Sequence, residues 1–168
     1  KADEIFVAAT GVIGDQLPIN DILKKIPLLK KNLLSDKWYD AADAIRTTDT
    51  YPKMATASYL LDGNKYTLNG IAKGSGMIAP DMATMLGFLF TDSNIPADIL
   101  SWHLKKINAV TFNAITVDSD TSTSDTVLLF STAQGISHKP VVNKSDRRLS
   151  GFLNALNSVM RNLAKQIV

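Results

Sequence analysis

Residues 71–86, Ile-Ala-Lys-Gly-Ser-Gly-Met-Ile-Ala-Pro-Asp-Met-Ala-Thr-Met-Leu, gather a lysine, two glycines and a threonine where a loop passes into an apolar run. Gly74 and Gly76 permit backbone angles and close approaches that a side chain would block. A threonine at the mouth of a strand is held rigidly, as a nucleophile must be, so the chemistry open to Thr84 is attack through its hydroxyl. Two phosphate-binding readings fail. Gly74-x-Gly76-x-x-Ala79 is a loosened dinucleotide fingerprint, but Pro80 and an apolar run follow where a helix should begin. A phosphate loop needs Gly-Lys-Ser/Thr in that order, whereas Lys73 precedes the glycines. On spacing alone Thr84 is an ordinary strand threonine, because β-branched residues favour strands.

The other polar concentration is residues 118–126, almost entirely Asp, Ser and Thr, which reads as a surface or site-lining loop. Asp118, Asp120 and Ser122 match the start of a calcium loop, but Thr123 stands where its glycine belongs and Leu129 where its glutamate belongs. Side chains bonding loop backbone are the better account. His103 and His138 have no partner spacing that suggests a metal or a triad, and Trp38 and Trp102 read as core-facing anchors of helices.

These residues need elements to position them. Ile5-Phe6-Val7-Ala8, ended by Thr10-Gly11, has the pattern of a buried strand running into a turn. Ile22, Leu23 and Ile26 behind Asn20, then Trp38, Ala41, Ala42 and Ile45 behind Ser35, predict two short helices separated near Pro27. Alternation from Ala55 to Leu61 and again at Tyr66 and Leu68, around Asp62-Gly63-Asn64, predicts a hairpin. Residues 84–91 and 127–130 are dense enough in apolar residues to be strands buried on both faces. Residues 96–107 predict a helix with Pro96 in its first turn. An apolar stripe from Leu149 through Phe152, Leu156, Val159, Met160 and Leu163 to Ile167 predicts a long amphipathic helix capped by Ser145 or Asp146. It is still apolar at Ile167-Val168, which reads as a cut end.

At 168 residues, 45% hydrophobic and 20% charged, the chain fits one ordered domain. A net charge of +2 gives no basic excess for nucleic acid. With no cysteine there is no disulfide, thiol nucleophile or Cys-ligated zinc. No apolar run approaches a membrane span, and Lys1-Ala2-Asp3-Glu4 is no signal-peptide start, so the expected location is intracellular, in the cytoplasm.

The segment around Thr84 resembles the processing-site motif of the ornithine acetyltransferase (glutamate N-acetyltransferase) family. Three further segments are similar to that family's motifs in the same order: Thr10-Gly11 with its flanks, Thr47-Thr48-Asp49-Thr50, and residues 115–126. The resemblance covers most of residues 5–132, and residues 136–168 match mainly in helical character. It implies the central part of one acetyltransferase domain, lacking the family's N- and C-terminal parts. The implied fold is mixed α/β, with β-sheets covered by helices in the manner of this family and of N-terminal-nucleophile enzymes.

The same resemblance implies self-cleavage between Ala83 and Thr84, after which Thr84 carries an acetyl group from N-acetylornithine to glutamate in arginine biosynthesis. Its freed amine, with an ordinary pKa of ~7.7–8.0, then acts as base for its own hydroxyl. Thr10 and Gly11 map to the oxyanion hole, and Thr47 and Lys73 to substrate binding, Lys73 as the cation for substrate carboxylates. No cofactor or metal is implied, although some members also accept acetyl-CoA. The two cleavage products are expected to stay associated, as a heterotetramer. The rival reading is an N-terminal-nucleophile hydrolase or aminopeptidase with the same self-cleavage, and third comes a binding domain in which Thr84 is never liberated.

Overall fold

The computed structural model describes residues 5–11, 14–75, 84–117 and 122–168. Its centre is a four-stranded mixed sheet in the order β1-β2-β3-β4, with β1 at Lys53–Leu61, β2 at Asn64–Lys73, β3 at Leu86–Thr91 and β4 at Thr126–Ser131. β1, β2 and β3 are antiparallel neighbours, whereas β4 lies parallel to β3. A parallel neighbour needs a crossover, and α3 (Ala97–Asn108) supplies it. The β1–β2 hairpin closes on Asp62 and Gly63, both with positive φ (51° and 78°), the tight turn whose twist suits paired strands.

The core lies between one face of this sheet and α4 (Ser150–Ile167). Along β2, Tyr66, Leu68, Gly70 and Ala72 share that face, and α4 contributes Phe152, Leu156, Val159, Met160 and Leu163. Gly70 sets the approach: a Cβ there would stand 2.9 Å from both Val159 Cγ1 and Leu163 Cδ1. The apolar stripe of α4 is fully used, and Asp146 caps the 3-10 turn before it by accepting from Arg148 N.

The mixed α/β class, the hairpin, the helix after Pro96 and the C-terminal helix follow the sequence expectations. Other elements depart from them. Residues 5–11 form no strand, and Ile5, Phe6 and Val7 are exposed, no ladder partner meeting them among the described residues. Phe6 lies edge-on to Phe130 at 5.4 Å. The first helix, α1 (Ile19–Lys31), runs through Pro27 instead of stopping there, with no residue buried. A proline removes one N–H and crowds the preceding turn, but a helix free of packing constraints can relax around both. The break falls between Lys31 and α2 (Trp38–Ala44). β3 starts at Leu86, two residues after Thr84, and β4 is half-buried throughout, because as the last strand of the sheet it has a neighbour on one side only. Trp38 packs edge-on to Phe90 at 5.4 Å. Trp102 is half-buried, with Lys106 Nζ 3.8 Å from its ring centroid, so it is a surface platform for cations more than a core anchor.

Candidate active site

The pairing of β2 with β3 brings the chemistry-bearing residues to one end of the sheet. Lys73, the last residue of β2, stands opposite Leu86, the first of β3, two residues beyond Thr84. Gly74 follows with φ 149°, a conformation side chains rarely adopt, and a Cβ there would lie 3.5 Å from Met85 Cα. The chain thus leaves β2 in a shape that glycine tolerates best. Ala83, and with it the expected scissile bond, lies outside the described residues, as do Gly76, Asp118 and Asp120.

Thr84 is 5% exposed, and its Oγ1 lies 3.0 Å from Ser122 Oγ in a hydrogen bond that either hydroxyl can donate. Ser122 Oγ also accepts from Ser124 N at 3.1 Å, so its oxygen is fixed by its own loop. Asp125 Oδ1 accepts from Met85 N at 2.8 Å, and Thr126 N donates to Met85 O at 3.0 Å. One polar loop therefore holds two successive residues at the entrance of β3. A hydroxyl fixed in this way is held in one orientation.

Lys73 is 1% exposed, and its Nζ donates to Thr47 Oγ1 at 3.1 Å. Burial pushes its pKa below the ordinary lysine value, and the charges of Asp49 and Asp125 hold it partly back up. Thr47 is exposed, so the pair joins a buried cation to a hydroxyl at the surface. Thr48 is separately engaged with Ser75 Oγ at 2.8 Å, which separates the roles of the two neighbouring threonines.

Beneath them lies a buried ion pair. Asp49 Oδ1 accepts from Lys53 Nζ at 2.5 Å and from Gly74 N at 2.9 Å, and its Oδ2 accepts from Thr47 N at 3.3 Å. Burial drives the Asp49 carboxyl upward, but Lys53 and the two backbone N–H groups outweigh it, and the net pKa is lowered. Thr10 is half-buried and Gly11 exposed, and among the described residues no hydrogen bond joins either to Thr84, Lys73 or Thr47. The structure brings Thr47, Lys73 and Thr84 to one end of the sheet, and among the described residues Thr10 and Gly11 stand outside their hydrogen-bond network.

Sequence reasoning singled out no role for Asp49, Lys53 or Asp125, and gave Ser122 only that of bonding loop backbone, which its bond from Ser124 N fits. Asp49 and Lys53 carry a signal in their four-residue spacing at the start of a strand, and Ser122 and Asp125 sit in the loop already marked by its polarity. His103, buried on α3, bonds through Nε2 to Lys144 O, and burial lowers its pKa, in keeping with a packing role. Among the described residues no group of His, Asp and Glu is arranged to hold a metal ion, and no helix is long and apolar enough to cross a membrane.

Comparison with known proteins places the chain. The model of the ArgJ family matches residues 1–168. The chain is 50% identical to the arginine biosynthesis bifunctional protein ArgJ of Nitrobacter winogradskyi over 99% of its own length. It is likewise 50% identical to the protein of that name from Rhizobium meliloti over 98% of its length, and 46% identical to that of Bartonella quintana over all of it. It spans about two fifths of the length of these curated relatives. Among solved structures, the PH0078 protein from Pyrococcus horikoshii OT3 overlaps 68% of this chain and 38% of its own, with a TM-score of 0.46 and 18% identity. The family model runs the full length of the sequence and half of the residues are shared with relatives of one name, so the chain belongs to the ArgJ family, as its motifs led us to expect.

Proposed function

We propose that the chain is the central part of a self-processing acetyltransferase that moves an acetyl group from N-acetylornithine to glutamate, in arginine biosynthesis, through an acetyl ester on Thr84. The observation that carries the reading is the hydroxyl of Thr84, buried and held by Ser122 at the entrance of β3, at the end of the sheet where Lys73 meets Thr47. A buried, oriented hydroxyl suits a nucleophile whose ester must be kept from water. A buried ammonium sharing a hydrogen bond with an exposed hydroxyl suits a substrate carboxylate.

In the processing step Thr84 Oγ1 attacks the carbonyl carbon of Ala83. The C–N bond breaks, the hydroxyl proton ends on the Thr84 nitrogen, and water hydrolyses the resulting ester to leave a carboxylate on Ala83 and a free amine on Thr84. In the transfer step that amine takes the proton from Oγ1 as the oxygen attacks the acetyl carbonyl, and passes it to the departing ornithine amine. Glutamate's amine then attacks the acetyl ester, releasing N-acetylglutamate and returning the proton to Oγ1. Negative charge develops on the carbonyl oxygen at each stage, and Thr10 and Gly11 are the proposed donors to it. The parts of the chain before and after the cut share β2 with β3 and β1 with α4, which supports the two products remaining associated after cleavage, in a heterotetramer on this reading.

Denaturing intact mass of the purified protein tests this. Separate species ending at Ala83 and beginning at Thr84 are expected, and Thr84→Ala should give one uncut chain. An uncut wild-type chain that never gains an acetyl group removes the mechanism. Incubation with N-acetylornithine then separates the rival hydrolase, which would release acetate whether or not glutamate is present.

A further inference from the structure

The Asp49–Lys53 pair is deeply buried: the two side chains are 0% and 2% exposed. A buried ion pair is a poor stabiliser, because desolvating both charges offsets their attraction. What distinguishes this pair is where its other bonds end. The Asp49 carboxylate receives Thr47 N on one side and Gly74 N on the other, so it joins the residue that offers a hydroxyl to the residue next to Lys73. Its own carbonyl accepts from Arg46 Nη1 at 2.9 Å, and Arg46 Nε is held in turn by Asp43 at 2.7 Å. The bend at residues 46–49 is thereby pinned from both ends.

We infer that Asp49 is a positioning residue for substrate binding: its carboxylate fixes Thr47 against Lys73, so that the ammonium and the hydroxyl meet a substrate carboxylate as one preformed unit. This rests on the acetyltransferase reading and deepens it. Asp49 touches no reacting atom, so its effect falls on binding and leaves the acylation chemistry of Thr84 alone. It also contributes charge. Of the groups acting on Lys73, Asp49 and Asp125 favour the ammonium, while Lys53 and burial oppose it. Removing the charge of Asp49 therefore lets Lys73 lose its proton at a lower pH.

The test uses the full-length, self-processed enzyme with two acyl donors: N-acetylornithine, which carries a carboxylate, and p-nitrophenyl acetate, which does not. Asp49→Asn should raise KM for N-acetylornithine by roughly 10-fold or more, the scale of one lost charge-assisted contact. It should also move the alkaline limb of kcat/KM to lower pH, with acetylation of Thr84 by p-nitrophenyl acetate unchanged. Asp49→Glu, which restores the charge, should return the limb to the wild-type position. Thr47→Val guards against misfolding of the buried variant, since Thr47 is exposed: it should raise KM with the limb unmoved. Equal losses with both donors would mean a merely structural role and overturn the inference, as would unchanged KM and pH limb. Failure of p-nitrophenyl acetate to acetylate Thr84 in the wild-type enzyme would instead remove the acetyltransferase reading, and the inference with it.

Discussion

Lys73→Met separates a group that binds substrate from one that merely fills the core. The side chain is 1% exposed, and among the described residues its direct hydrogen-bond partner is Thr47 Oγ1 at 3.1 Å. Methionine has nearly the same length and no charge. The fold loses one charge-assisted hydrogen bond, about 1.5–3 kcal/mol, and regains the cost of burying an ammonium, which is several kcal/mol. These offset, so melting should shift by no more than about 4 °C in either direction, the scale of a 1 kcal/mol change in a domain of this size. The substrate suffers no such cancellation, because its carboxylate keeps its desolvation cost and has lost its cation. The same 1.5–3 kcal/mol, now uncompensated, corresponds to roughly a 10- to 150-fold fall in kcat/KM. The assay is steady-state acetyl transfer from N-acetylornithine to glutamate, run beside a thermal melt of the same preparation. Normal turnover with normal Michaelis constants would refute the assignment of Lys73, and so would an activity loss that only tracks a large fall in melting temperature.

Two further outcomes follow from the packing and the charges. Phe152, fully buried and edge-on to Tyr59 at 5.6 Å, should cost about 3–5 kcal/mol as Phe152→Ala, read as a lower urea midpoint at unchanged slope. Asp49 has a folded-state pKa below its ordinary value of 3.8, so its contribution to stability is present above that value and lost as pH falls through the lower, folded one. Urea titrations of wild type and Asp49→Asn between pH 6 and pH 2 should therefore show a constant difference down to about pH 5 that shrinks below pH 4. A difference that grows towards acid would contradict the sign of that shift.

The sequence by itself determined the local elements and the identity of the family. The α4 stripe, the alternation across Asp62-Gly63 and the crossover helix behind Pro96 are patterns of period and turn chemistry, and such patterns survive in one dimension because each residue's neighbours along the chain set its face. Thr47, Lys73 and Thr84 were singled out by likeness to a family and not by spacing, and the structure places them at one end of the sheet. Packing decided the rest. Residues 5–8 have the composition of a strand, but a strand exists only with a ladder partner, and none meets them among the described residues. Pro27 reads as a helix stop, yet α1 passes through it with none of its residues buried, so the turn around the proline is free to relax. The four-residue spacing of Asp49 and Lys53 is visible in the sequence, but their joint burial, and the meeting of Asp49 with Gly74 across 25 residues, is not. Nor is the meeting of Thr84 with Ser122. Both contacts are made when β2 is folded back on β1 and β4 is laid beside β3, since only register between strands brings groups so distant in the chain within hydrogen-bond reach.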